Sequence, residues 1–442
     1  MEQEHNLFWI WLAECLGAEN HDFARLIATY DPYELFHADE SELERIDGIT
    51  KRTVARLSNK SLMRASAIND DCLAMGIDVI PYDSLKYPPL LRGLRCPPVV
   101  LYCKGELPDV ANKLCIGTVG TRKMSHYGMR VAYQLSYQLA SCGAVVVSGM
   151  ASGIDGVSAA AAIAAGGKTV AVIGCGIDVI YPKNHDKLMQ EIVRHGAVIS
   201  EYPPKTPVRG YQFPIRNRII SGLSQATVVV EAGVSSGSLI TAKDAILQGR
   251  SVYAFPANVG NKVSEGTNML LRDGVNLALS AADVLSEYAD AYSAYLDMSR
   301  LTGPPRITDE VLAYLRQLDV IRSLDQEADR QNESAIIEPV KRQRAGRKAS
   351  VASSGADRES PAQERKVTDA PPKEKKKTPD EVLSSLTELQ REVLAGMPDD
   401  RSVSLDDLRG IGKAVGEVVA ALTVLEILGL VEKLPGGLYT KS

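Results

Sequence analysis

Apolar positions along the chain change their period twice. Over residues 1–70, Leu12, Leu16, Phe23, Leu26, Ile27, Leu35 and Phe36 recur at helical spacing with turn residues between the groups, which predicts a module of short helices. Within it Leu43-Glu44-Arg45-Ile46-Asp47-Gly48-Ile49-Thr50-Lys51-Arg52 has the pattern of a SAM-like or helix-hairpin-helix-like turn. A plain packing module is the better reading of that single copy. From 76 to 290 the pattern becomes continuous apolar runs alternating with amphipathic stretches. Runs at Val99–Cys103, Leu114–Gly120, Ala144–Gly149, Thr169–Gly174, Ala197–Glu201, Ala226–Glu231 and Val252–Phe255 predict strands. Helices are predicted over Gly128–Leu139, Ile154–Ala165, Asp186–Arg194, Phe213–Gly222 and Ser238–Leu247. Strands with little alternation belong to a sheet covered on both faces, and the repeated strand–helix order predicts a doubly wound, Rossmann-like parallel α/β sheet.

The second change comes near residue 338. Residues 338–380 are rich in Pro, Ser and Lys with almost no large apolar side chains, which predicts a disordered basic linker. From 381 to 442, Val382, Leu383, Leu386, Leu389, Val393 and Leu394 suit one helix, Ser404 can cap a second, and Val415–Leu428 fills a third. Leu430–Tyr439 then reads as a hairpin, completing a winged-helix-like pattern. The third helix carries Glu417 and Glu426 against Lys413, a poor charge balance for a DNA major groove, so a protein-interaction or auxiliary role suits it better.

Charge changes the picture only when the chain is divided. The net charge is −5, yet residues 341–378 hold twelve Lys and Arg against five Asp and Glu, leaving −12 for the rest. A polyanion site in the folded part must therefore be a local patch. The seven Cys form no CxxC pair and sit in apolar contexts, which predicts reduced thiols with no disulfide framework and no zinc. An acidic start, Met1-Glu2-Gln3-Glu4-His5, and the lack of an apolar run near the ~20 residues of a bilayer span predict a cytoplasmic protein with no membrane partner.

Candidate chemistry collects at the predicted strand ends, where a doubly wound sheet binds its ligands. Gly117-Thr118-Val119-Gly120-Thr121-Arg122 follows one strand and Ser148-Gly149-Met150-Ala151-Ser152-Gly153-Ile154-Asp155 the next. Gly174-Cys175-Gly176, Tyr181-Pro182-Lys183 and Glu231-Ala232-Gly233-Val234-Ser235-Ser236-Gly237-Ser238 complete the set. Small residues before helix N-termini make anion sites. The stretch Phe213-Pro214-Ile215-Arg216-Asn217-Arg218 adds an aromatic ring and two guanidinium groups. Converging on one rim, Arg122, Lys183, Arg216 and Arg218 would hold phosphates while Phe213, Tyr211 and Tyr181 stack bases, the needs of single-stranded DNA.

Enzymatic readings fare less well. Gly167-Lys168-Thr169 opens a strand and lacks the first glycine of a P-loop. Gly233-Val234-Ser235-Ser236-Gly237 matches a nucleophile elbow, but the last His of the chain, His195, precedes it. Asp155 and Glu231 are candidates for a general acid or base, but capping a helix or binding a backbone amide is the better reading of each. No catalytic constellation, metal site or cofactor is expected, and a nucleotide-processing enzyme, hydrolase or phosphoribosyl-type, is the alternative reading on this fold.

These segments carry a resemblance. Val119-Gly120-Thr121-Arg122 with Tyr127-Gly128, Ser148–Asp155, Asp178-Val179-Ile180-Tyr181-Pro182 and Ser200-Glu201-Tyr202-Pro203-Pro204 appear in order, followed by Phe213–Ile220, Glu231-Ala232 with Ser236–Ala242, and Gly266-Thr267-Asn268. Together they resemble the Rossmann-like core of the DNA-processing protein A (DprA/Smf) family. The resemblance implies a protein that binds and protects incoming single-stranded DNA, loads a RecA-type recombinase during natural transformation, and forms a homodimer through its central domain. It implies DNA contacts at Arg122, at Lys183 and around Phe213, Arg216, Asn217 and Arg218. With the loop residues Gly120, Thr121, Ser148, Gly149, Gly153, Ser236, Gly237 and Ser238, these form the expected site. Four positions depart from the family pattern: Thr121 stands for Ser, Ser152 for Arg, Ala159 for His, and Ala257 for Gly.

Overall fold

The computed structural model describes residues 2–322 and 324, then 387–398, 403, 404, 408, 418, 421, 422, 425, 430–434 and 438–441. The predicted linker, 338–380, lies outside the described residues. The chain divides into two units, 1–343 and 344–442.

In the first unit the strands are β1 Asp78–Pro81, β2 Val100–Gly105, β3 Cys115–Val119, β4 Val145–Ser148 and β5 Lys168–Ile173. They continue as β6 Gly196–Ser200, β7 Ala226–Val229, β8 Ser251–Ala254 and β9 Asn276–Leu277. They form one sheet in the order β1-β2-β6-β5-β4-β3-β7-β8-β9. From β6 to β9 all neighbours are parallel, while β1 and β2 pair antiparallel at one edge. The sheet is therefore mixed, and all seven predicted strands are present. The pattern missed β1 and β9, whose few residues sit at the two edges where less apolar cover is required.

Side-chain alternation explains why the central strands are apolar throughout. Ile116, Val146, Ala171, Val198 and Val228 face one core, with the helices His126–Ser141, Ile154–Ala164 and Asp186–His195. Their neighbours Cys115, Val145, Val147, Val170, Val172, Ile199 and Val229 face the other core, with the helices Gln212–Gly222 and Ser238–Leu247. Each of these Val and Ile side chains contributes roughly 1.5–3 kcal/mol by leaving water. The chain runs from β3 outward through β4, β5 and β6, then returns to place β7 on the other side of β3. That makes β3/β7 the topological switch point, where a ligand crevice forms beyond the strand ends.

The N-terminal helices run from Glu2–Leu16 to Met63–Met75, and two of the short ones begin with capping boxes, Asp31/Glu34 and Asp39/Glu42. Trp9, Ile10, Leu12, Phe23 and Leu43 share a core with Val99, Val100 and Tyr102 of the sheet. Residues 291–322, unassigned from sequence, lie over the same face. Thr308 caps the helix Asp309–Gln317, whose Leu315 joins Leu318, Val320 and Ile321 in the core, while Gln138 and Gln134 donate to the carbonyls of Thr302 and Pro305. Among the described residues no helix is long and apolar enough to cross a membrane.

In the second unit, Thr387 caps the helix Glu388–Ala395, and strands β10 Val403–Ser404, β11 Val431–Leu434 and β12 Leu438–Lys441 form a sheet in the order β10-β12-β11. β11 and β12 make the antiparallel hairpin read from the sequence. Val393, Met397, Leu408, Leu422, Leu425 and Tyr439 pack into its core.

Candidate nucleic-acid interface

A cleft of about 690 Å³ opens beyond the ends of β3 and β7. Its geometry starts from residues too small to fill it. A side chain at Gly120 would meet Ile154 and the carbonyl of Glu231, so only glycine lets the chain leave β3 this close to β7. Thr121 N then donates to Glu231 O at 2.7 Å, and the Thr121 hydroxyl accepts from Lys123 N at 3.2 Å, which turns Arg122 and Lys123 outward. Gly153, at φ +82°, and the buried Ser148 hydroxyl, 3.4 Å from Asp155 O, shape the loop beneath.

Phe213 forms the aromatic part of the wall. The Arg122 guanidinium lies 5.1 Å from its ring centre, Arg216 lies 6.0 Å from it, and the Tyr181 ring is 5.2 Å away at 34°. Arg216 reaches the cleft from below. It is 4% exposed and donates to the carbonyl of Val172 at the end of β5, while its Nε has no partner. The absent side chain of Gly149 makes its room, since a Cβ there would collide with the guanidinium. Burial pulls Arg216 down to about 10, with Asp155 opposing the shift, so it stays charged at neutral pH. Burial likewise pushes Asp155 up, and Arg216 holds it down. Asp155 also accepts from Gly149 N at 3.0 Å, as the expectation of a backbone-binding carboxylate requires.

Arg218 does not join this cleft. Two residues along a helix are about 200° apart, so Arg216 and Arg218 cannot face one crevice. Arg218 is 7% exposed and donates through Nη2 to both carboxylate oxygens of Glu201, at 2.6 and 2.7 Å. That pair ties the helix Gln212–Gly222 to the end of β6. Lys183 is exposed at the start of the turn Lys183–His185 and is also absent from the cleft wall, as is Tyr211. Two lysines that sequence reading left out do line it: Lys123, beside Arg122, and Lys262, brought in by the loop after β8. The first could be found by adjacency, but nothing local marks the second. Asn217 donates to Gly237 O at 3.3 Å, and Ser236 bonds Ser238 at 2.8 Å, so the loop after β7 is tied to the same helix.

Glu231, fully buried, accepts from Ser125 N at 2.8 Å, from Ser125 Oγ at 2.6 Å and from Ser264 Oγ at 2.9 Å, pinning the loops after β3 and β8 to β7. Asn268 bonds both the N–H and the carbonyl of Ala257, holding the last loop without the glycine of the pattern. Among the described residues no group of three or more His, Cys, Asp and Glu is arranged to hold a metal ion.

Fold and site together define an α/β protein with a cationic, aromatic-walled crevice at its switch point. The family described as DNA recombination-mediator protein A matches residues 78–289, and the DprA winged helix domain matches residues 376–437. The chain is 40% identical over 222 residues to DNA processing protein DprA of Bacillus subtilis, covering 50% of this chain and 75% of that one. It is 32% identical to protein Smf of Synechocystis over 368 residues, 81% of this chain and 79% of that one. The crystal structure of DNA processing protein A from Streptococcus pneumoniae matches with a TM-score of 0.57 and 31% identity, covering 64% of this chain and 97% of that one. The chain belongs to the DprA/Smf family of DNA recombination mediators.

Proposed function

We propose that this protein binds single-stranded DNA in the cleft beyond β3 and β7 and acts as a recombination mediator without turnover. The observation that carries this reading is the Phe213 ring flanked by Arg122 and Arg216, with Lys123 and Lys262 on the same wall and Asp155 as the one acidic residue lining it among the described residues. An aromatic face stacks a base of any sequence, and surrounding cations hold the phosphates on either side. The helix N-termini at Ser238 and Gln212 add favourable dipoles. Of the expected residues, Gly120, Thr121, Arg122, Phe213, Arg216, Asn217, Ser236, Gly237 and Ser238 line this cleft, while Ser148, Gly149 and Gly153 support it from behind.

From that site the protein protects incoming strands in the cytoplasm and hands them to a RecA-type recombinase during natural transformation. Assembly as a homodimer through the central domain is part of the proposal. The exposed Ile246, Leu247, Leu277 and Leu279, near one edge of the sheet, support such an interface. Titration of a labelled dT oligomer tests the reading. Wild type should bind, and Arg122→Ala with Phe213→Ala should bind at least tenfold more weakly while remaining folded. Equal binding by the folded double variant contradicts it. Recombinase loading is tested by recombinase ATPase activity on strands precoated with single-strand-binding protein, which should rise on adding this protein.

A further inference from the structure

The segment 206–217 is a ridge between two clefts. Val208, Gly210, Phe213 and Arg216 line the crevice at the strand ends. The intervening Arg209, Tyr211 and Ile215 line a second cleft of about 610 Å³ on the opposite side. Its far wall is built by the helices Glu2–Leu16 and Met63–Met75.

Three features of this second cleft are unexplained by the fold. Tyr102, 1% exposed, and Tyr202 both line it, and both carry hydroxyls shut off from solvent without a hydrogen-bond partner. A buried hydroxyl left unpaired costs free energy that a ligand able to pair with it would recover. Tyr211 stands at the ridge with 59% of its surface exposed, its ring open to a stacking partner. Arg209 is exposed beside it with no acidic partner among the described residues, whereas Arg64 and Lys205 are neutralised by Glu14 and Asp71. Apolar side chains such as Ile68, Val99 and Ile215 complete the walls. A free cation, an exposed ring and inward hydroxyls between apolar walls match the three parts of one nucleotide: phosphate, base face and base edge.

We propose that this second cleft is a further nucleotide subsite for the same strand. Single-stranded DNA held at the strand ends crosses the 206–217 ridge and inserts a base between the sheet and the N-terminal helices. Arg209 holds the phosphate at the crossing, Tyr211 stacks the base, and the inserted base uncovers the hydroxyls of Tyr102 and Tyr202 by displacing the side chains that cover them and hydrogen-bonds them with its edge. The inference rests on the strand-end cleft being the primary DNA site.

The test compares dT oligomers of about six and about twenty nucleotides, lengths chosen to fill one cleft or to span both. Wild type should bind the longer oligomer at least tenfold more tightly. Arg209→Ala with Tyr211→Ala should lose that gain yet bind the short oligomer as wild type does, while Arg122→Ala weakens both. Tyr102→Phe, which keeps the ring, should weaken only the long oligomer without lowering Tm. A double variant that keeps the full length-dependent gain overturns the second subsite and leaves the first intact. If wild type binds neither oligomer, the primary site fails as well.

Discussion

Two arginines on one helix have opposite surroundings. Arg216 lies under an open crevice, its carbonyl contact to Val172 leaving Nε unpaired and its charge facing Phe213. Arg218, half a turn away, is sealed from water in an ion pair that Nη2 makes with both oxygens of Glu201, and its own Nε and Nη1 are also unpaired. The residue type is the same, and the difference lies in whether the charge is satisfied within the protein. A cation paired with a carboxylate in a sealed site serves the fold, whereas one bonded to a carbonyl beneath an open crevice is available to an outside anion.

The sharpest way to break that comparison is to remove Arg218. Arg218→Ala strands a buried carboxylate and should cost about 3–5 kcal/mol in urea unfolding, and replacing both partners with apolar residues should recover most of it. A loss under 1 kcal/mol would mean the pair is not structural. Next comes Gly149→Ala, whose new Cβ displaces the Arg216 guanidinium. It should cost roughly 1–3 kcal/mol and weaken DNA binding together with stability. Arg122→Ala, at an exposed position, should leave stability within about 0.5 kcal/mol and reduce the salt slope of binding by about one.

The comparison says how much was readable beforehand. The apolar runs located every central strand, because a sheet covered on both faces needs such runs and little else produces them. The placing of Arg122 and Phe213 in the cleft wall was legible, since each stands where a strand end or a helix start must put it. Arg218 was misplaced on the rim because charge alone shows no direction. Counting helical angle from Arg216 would have separated them. Lys262 was invisible because its approach depends on the packing of a loop that no local signal fixes. The segment 291–322 went unassigned although Thr308 and the apolar spacing of Val311, Leu315 and Leu318 mark a capped helix. Glu231 was foreseen as a structural carboxylate, but its three partners come from loops on two other strands.

A smaller effect sharpens the same contrast on the Arg218 side. Burial, with Glu19 adding to it, raises Asp244 to about 6, against the pull of Arg218. A carboxyl raised on folding stabilises fully below its unfolded value and loses that contribution as pH rises through about 6. Wild type should therefore lose roughly 1 kcal/mol relative to Asp244→Asn between pH 4 and 7, allowing for solvent screening. Parallel curves for the two proteins would contradict the assignment.

The central claim is that the crevice between β3 and β7 is a site for single strands. Its most direct test is a titration of the full chain against labelled poly-dT and a matched duplex at low and moderate salt. The account expects tighter binding of the single strand, a steep fall with salt, and a shallower fall in Arg122→Ala. Equal affinity for both forms, or none for either, would contradict it.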